Sequence, residues 1–177
     1  MTRAGVLFDR DGTLNENPPF YVKSLAEFVP YPGAFEAVAR LCLAGWPVAV
    51  CTNQSCVGRG IIGAEVVDEV NRECARLLED AGGRFAGFHT CPHAPDDGCE
   101  CRKPLPGLLR AAAAAHAIDL DASYFVGDSP EDMAAGRAAG ATPLLVRTGR
   151  GAEAAADHPR EHTFPTIVEA VEWILRA

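Results

Sequence analysis

A chain of 177 residues is long enough to bury one substantial core and too short for two ordinary domains, so a single domain over 1–177 is expected. The net charge of −8, with no run of Lys or Arg to offset it, excludes general nucleic-acid binding and makes any phosphate contact a local one. No apolar stretch approaches the roughly eighteen residues of a membrane span. The opening MTRAGVLFDRDGT turns charged before a signal core can form, which predicts a cytoplasmic protein with no membrane partner, taken as a monomer.

The apolar run from Ala4 to Phe8 predicts a buried strand, and it ends in Asp9 and Asp11 followed by Gly12 and Thr13. Side chains two residues apart leave a strand end on the same side. Both carboxylates can therefore reach one ligand beyond the strand's carboxyl end, where open α/β sheets bind theirs. Two carboxylates aimed at one point repel, and a hard divalent cation such as Mg²⁺ beside a phosphate relieves that. Alone, Asp-Gly is equally a hairpin turn. Residues 14–32 are rich in Pro and Asn and read as a loop or flap. Phe35, Val38, Leu41 and Cys42 then share one face of a helix over Ala34 to Ala44, with Gly45 placed to cap it.

A second apolar strand, Pro47 to Cys51, runs out into Thr52, Asn53, Gln54 and Ser55. Helical spacing covers 64–81, and a short strand covers Phe85 to Thr90. A loop over 91–104 leads into an alanine-rich helix over 105–117. Ser123 to Gly127 forms a strand that ends in Asp128, a helix over Pro130 to Ala139 stops at Gly140, and Pro143 to Arg147 is a fifth strand. Gly149 to His162 is polar enough to be mobile, and an amphipathic helix over Ile167 to Leu175 closes the chain. Strands alternating with helices predict an α/β, doubly wound parallel sheet with right-handed crossovers.

On one carboxyl edge, Thr52 and Asn53, Arg102-Lys103 and Asp128 converge on Asp9. The Thr52 hydroxyl and nearby backbone N–H groups suit phosphoryl oxygens. Lys103 supplies a point charge, Arg102 a fork for phosphate or sugar, and Asp128 a further oxygen for a cation. Separately they are a turn, a solvated basic pair and a helix start. Their combination carries the reading. Cys91, His93, Cys99 and Cys101 form a second constellation: four soft ligands within eleven residues suit tetrahedral Zn²⁺ with no open position, a structural site. Free thiols with a surface histidine are the alternative. Zinc there would stiffen the loop that delivers Arg102 and Lys103, while Cys42, Cys51 and Cys74 read as core residues.

The order FDRDGT, VCTNQS, RKP, VGDSPEDM resembles the four motifs of the haloacid dehalogenase-like phosphohydrolases over residues 6–133. The resemblance implies a Rossmann-like fold with Asp9 as nucleophile, Asp11 as general acid/base and Lys103 as a catalytic cation. It also implies that Mg²⁺ is held by Asp9, the Asp11 carbonyl and Asp128, with Asp132 placing metal waters or pairing with Lys103. CPH…CECRKP with DRDGT and TNQS resembles the branch of that family acting on heptose 1,7-bisphosphate or histidinol phosphate. The NQSxxxRG run and VRTG near Arg147 lie closer to the heptose side. The likeness implies a sugar-phosphate pocket of Thr52, Asn53, Gln54, Ser55, Arg59, Arg102 and Lys103, with Tyr21 and Val22 at the flap's aromatic position. Cys56 and Ile61-Ile62-Gly63 depart from the branch and bear on specificity. Roughly forty residues between Asp11 and Cys51 leave no room for a cap domain. A histidinol phosphate pocket would need an added acid for the amine, from Asp96, Asp97 or Glu100. A catalytically silent binding module is the reading from another class, and the intact Asp9, Asp11, Lys103 and Asp128 speak against it.

Overall fold

The computed structural model describes residues 1–19, 21–157 and 162–177. In chain order the first elements are β1 (Val6–Phe8), α1 (Ala34–Leu43), β2 (Val48–Asn53), α2 (Ser55–Gly58), α3 (Ala64–Asp80) and β3 (Gly87–Cys91). The second half adds α4 (Gly107–His116), β4 (Tyr124–Gly127), α5 (Pro130–Ala139), β5 (Thr142–Val146), α6 (Gly151–Asp157), β6 (His162–Phe164) and α7 (Ile167–Ile174). Among the described residues the strands form one parallel sheet in the order β3-β2-β1-β4-β5-β6. The chain winds outward from β1 through β3, then crosses back to β4 on the other side of β1. That reversal opens a crevice between the carboxyl ends of β1 and β4, the place where doubly wound sheets bind ligands.

Strand alternation divides the core between the two faces of the sheet. Val6 and Phe8 pack with Val38 and Leu41 of α1, Val70 and Leu78 of α3 and Val171 and Ile174 of α7. Leu7 points the other way, onto Leu108, Leu109 and Ala112 of α4 and Ala135 of α5. Each such side chain, fully buried, contributes about 1.5–3 kcal/mol of transfer free energy, so the short β1 is pinned from both sides. Gly45 follows α1 at φ +89°, the left-handed turn a helix end favours.

The expected elements stand with small shifts: the strand expected from Phe85 runs over Gly87–Cys91, and the helix expected from 105 starts at Gly107, behind Pro106. The polar stretch Gly149 to His162 needs correction. Its described part is ordered as α6, whose Ala154 packs on Met133 and Leu145, and the start of β6; residues 158–161 lie outside the described residues. Alanine supplies helix propensity without the large apolar side chains that make a helix visible in a sequence. The flap is also tied down. Leu14, Val22 and Phe28 are buried, Asn15 bridges to Pro30, and Leu25–Glu27 form a 3-10 turn. No helix among the described residues is long and apolar enough to cross a membrane.

Candidate active site

A cleft of about 260 Å³ opens at the carboxyl edge of the sheet, lined by Asp9 and Asp11 after β1, Thr52, Asn53 and Ser55 around the end of β2, Arg102 and Lys103 before α4, and Asp128 after β4. The topology thus brings together four segments that lie far apart in sequence. Lys103 is 3 % exposed and sits at their centre: its Nζ lies 2.7 Å from Asp9 Oδ1 and 2.7 Å from Asp132 Oδ1, and donates to the Cys51 carbonyl at 2.9 Å. Asn53 fixes its backbone, donating from Nδ2 to the Lys103 carbonyl at 3.0 Å and accepting from the Lys103 N–H at 3.1 Å. Burial works against the Lys103 charge, but Asp132 and Asp9 outweigh it and raise its pKa. Asp132 completes a capping box with Ser129 at the start of α5, so one side chain both starts the helix and holds the lysine.

Asp9, Asp128 and Asp132 bring carboxylate oxygens within 4.8 Å of one another. One lysine does not balance three acids. Burial raises Asp9 to about 7 against the pull of Lys103, and burial with repulsion from Asp9 and Asp132 raises Asp128 to about 8. A hard cation between Asp9 and Asp128 would supply the missing positive charge, so the donor set fits Mg²⁺. Backbone closes on the same spot: a Cβ on Gly12 would lie 2.2 Å, and one on Gly149 2.1 Å, from Asp128 Oδ2. The Arg150 N–H donates to that oxygen at 2.8 Å, and the Thr148 hydroxyl donates to the Gly12 carbonyl at 2.6 Å.

Asp11 is held differently. The buried Arg10 donates from Nε to its Oδ1 at 2.9 Å and from Nη2 to its Oδ2 at 3.0 Å, while Asn15 and Gln54 add one hydrogen bond to each oxygen. Burial pushes the Asp11 carboxyl up, but Arg10 and the hydrogen bonds prevail and hold it below the usual carboxylate range. Gln54, expected in the substrate pocket, is buried beneath Asp11 and also donates to the Thr52 hydroxyl at 2.9 Å. Arg59, expected beside it, is exposed and does not line the cleft. Ser55 does line it and pairs with the Tyr21 hydroxyl at 3.2 Å, the flap residue held at φ +69°. Asn17, Glu131 and Arg150 complete the mouth, where Arg150 Nη1 lies 3.3 Å from Glu131 Oε2.

Beside the cleft, the ligating atoms of Cys91, His93, Cys99 and Cys101 also lie within 4.8 Å of one another. Cys91 Sγ is 3.7 Å from Cys99 Sγ and 3.6 Å from His93 Nδ1, which is 3.3 Å from Cys101 Sγ. A tetrahedron with Zn–S of about 2.3 Å and Zn–N of about 2.0–2.1 Å has edges of about 3.5–3.8 Å, near the distances seen, so the cluster could hold a metal ion of that kind. Arg102 and Lys103 follow the last cysteine directly, and the Arg102 guanidinium donates to the His93 carbonyl at 3.4 Å.

A HAD-hydrolase-like family model matches residues 100–172. A Pseudomonas aeruginosa D-glycero-beta-D-manno-heptose-1,7-bisphosphate 7-phosphatase is 44 % identical over 151 residues, 85 % of each chain. The chain belongs to the haloacid dehalogenase-like hydrolase family. A Neisseria meningitidis relative of the same description is 37 % identical over 176 residues, covering 97 % of this chain and 94 % of its own. The B. bronchiseptica D,D-heptose 1.7-bisphosphate phosphatase, a crystal structure complexed with magnesium and phosphate, superposes with a TM-score of 0.92 at 37 % identity over 99 % of both chains. Sequence reasoning gave no role to Arg10, Asn15 or Arg150, and took VRTG, which carries Thr148 and Gly149, only as a mark of the heptose side. Arg10 carried one signal: a cation between two acids at a buried strand end has to be paired.

Proposed function

We propose that this hydrolase removes the 7-phosphate of D-glycero-D-manno-heptose 1,7-bisphosphate through an aspartyl-phosphate on Asp9, working as one cytoplasmic, capless, monomeric domain. The observation that carries the substrate is the 44 % identity over 85 % of both chains with the Pseudomonas aeruginosa phosphatase. The cleft agrees with it. Arg102 and Arg150 line it and suit a second phosphate; Asp96, Asp97 and Glu100, the acids weighed for an amine, do not line it, and Glu131, which does, is paired with Arg150.

In the chemistry we assign, an Asp9 carboxylate oxygen attacks phosphorus as the bond to the leaving oxygen breaks, and Asp11 gives that oxygen a proton. Water then attacks the phosphoryl group, Asp11 takes its proton, and Asp9 is released with inorganic phosphate. Lys103, ion-paired with Asp9, orients the nucleophile and stabilises charge on the transferring group. Thr52, Asn53 and Ser55 frame the phosphoryl oxygens. Mg²⁺, for which Asp9, Asp128 and the Asp11 carbonyl are the proposed ligands, neutralises phosphate charge when bound. Zinc on Cys91, His93, Cys99 and Cys101 holds the loop that presents Arg102 and Lys103.

The test compares phosphate release from heptose 1,7-bisphosphate and histidinol phosphate with Mg²⁺. A hundredfold higher kcat/KM for the heptose, about 2.7 kcal/mol of transition-state discrimination, is expected. The reverse preference would overturn the substrate, and substantial turnover by pure Asp9→Asn would overturn the nucleophile.

A further inference from the structure

Thr148 and Gly149 of the VRTG stretch, with Arg150 after them, make three contacts from three consecutive residues. The Thr148 hydroxyl donates to the Gly12 carbonyl at 2.6 Å, the Gly149 N–H donates to the Tyr31 hydroxyl at 3.1 Å, and the Arg150 N–H donates to Asp128 Oδ2 at 2.8 Å. The turn is anchored at both ends. The Arg147 N–H donates to the Phe164 carbonyl of β6 at 2.9 Å, and the Gly151 N–H donates to the Thr148 carbonyl at 2.8 Å where α6 begins. A fixed turn thus touches the loop after β1, the flap and the loop after β4 at once. A threonine in a turn ordinarily bonds its hydroxyl to neighbouring backbone, whereas this one reaches a residue 136 positions away.

Glycine restrains its own peptide planes less than any other residue, so Gly12 takes its direction from what holds it. Its N–H donates to the Asn15 carbonyl at 2.7 Å and its carbonyl accepts from Thr148. The Asp11–Gly12 peptide is trans, so holding that N–H also fixes the direction of the Asp11 carbonyl on its opposite side. Across the crevice, the Arg150 N–H fixes the rotation of the Asp128 carboxylate. We infer that Thr148 is a positioning residue: together with the Arg150 N–H it staples the loop after β1 to Asp128 and so sets the spacing of the oxygens around the cation. This rests on the reading of Asp9, Asp128 and the Asp11 carbonyl as ligands of Mg²⁺. That ion demands near-ideal octahedral geometry at about 2.0–2.1 Å, so a staple between two ligand-bearing loops acts on metal affinity. Thr148 itself touches neither metal nor substrate.

The experiment compares Thr148→Val, which keeps the shape and loses the hydroxyl, with Thr148→Ser, which keeps the hydroxyl. One readout involves no turnover: the thermal midpoint is followed as Mg²⁺ alone is added, because a ligand of the folded state raises it according to its affinity. Support of a metal ligand is worth about 10–100-fold in affinity, so Thr148→Val should need at least about tenfold more Mg²⁺ than wild type for the same rise, and Thr148→Ser no more than about threefold. The Mg²⁺ activation curve for phosphate release from heptose 1,7-bisphosphate should move by the same factor, with kcat recovering as Mg²⁺ saturates. Equal titrations of wild type and Thr148→Val, an equal loss in Thr148→Ser, or a kcat that stays low in Thr148→Val at saturating Mg²⁺ each overturn the inference. If Thr148→Val does not fold, Thr148→Ala decides in its place. A wild-type midpoint and activity that both ignore Mg²⁺ remove the cation site itself and the inference with it, whereas a responsive wild type beside an unmoved variant removes the inference alone.

Discussion

Gly12→Ala tests whether the cation site depends on a backbone that only glycine can provide. Gly12 sits at φ +94°, and its new Cβ would lie 2.2 Å from Asp128 Oδ2 and 2.5 Å from Cγ. The oxygen would have to retreat by roughly 0.8 Å to reach even a tight 3.0 Å contact. The Arg150 N–H already holds that oxygen at 2.8 Å, so any retreat is made against that hydrogen bond. Mg²⁺ demands oxygens at about 2.0–2.1 Å, so such a displacement removes Asp128 as a ligand. Disturbing a ligand's support costs about 10–100-fold in metal affinity, and the positive φ adds roughly 1 kcal/mol of backbone strain. Activity titrated with Mg²⁺ should show half-saturation shifted at least about tenfold upward, with KM for the sugar phosphate at saturating Mg²⁺ little changed. Gly60→Ala is the control: Gly60 has φ +67° but nothing within 4 Å of its Cβ, so it should lose stability and keep its Mg²⁺ dependence. A folded Gly12→Ala protein with wild-type Mg²⁺ dependence would refute the placement of the cation at Asp128.

Two further outcomes are expected. Cys99→Ser should release zinc, lower the thermal midpoint and reduce activity through the loop carrying Arg102 and Lys103; one zinc per chain retained in the variant, by elemental analysis, would remove that site. In metal-free protein, Asp9 and Asp128 have folded-state pKa values of about 7 and 8, above their ordinary 3.8. Their contribution to stability is therefore fully present below pH 3.8 and declines as pH rises to about 8. Calorimetry should show a lower thermal midpoint at pH 8.5 than at pH 5.5 without Mg²⁺, and the difference should shrink when Mg²⁺ is added. A metal-free midpoint that is flat or rises over that interval contradicts the charge imbalance.

The sheet was legible because parallel strands are buried on both faces and appear as contiguous apolar runs, VLF and VAVC among them. The strand ends were legible for the complementary reason that Asp9, Asn53 and Asp128 interrupt those runs abruptly. The cysteine loop was visible from composition and spacing alone. What sequence could not supply was direction. Arg10 reads as one more surface charge until the chain leaves β1 and turns it under the site, and Gln54 stands beside Ser55 in sequence although the two face different neighbours. The pairing of Asn53 with Lys103 spans fifty residues and joins the end of β2 to the segment before α4, a contact that no local pattern encodes. The helix α6 escaped notice because it buries chiefly small residues, Gly151 and Ala154.

These failures share a physical cause. Periodicity reports which face of an element is apolar, so it finds helices and strands that bury large side chains. It says nothing about polar groups buried in mutual satisfaction, because Arg10, Asn15, Gln54 and Asp11 look hydrophilic one by one and become interior only as a set. Such sets gather where a buried charge has to be held, and here the charge held is that of Asp11 at the cleft. The chemistry of Asp9 follows from a strand end and a neighbouring lysine. The Asp11 carboxylate instead depends on Arg10 and Asn15 from its own loop and on Gln54 from the end of β2, contacts that no apolar pattern announces.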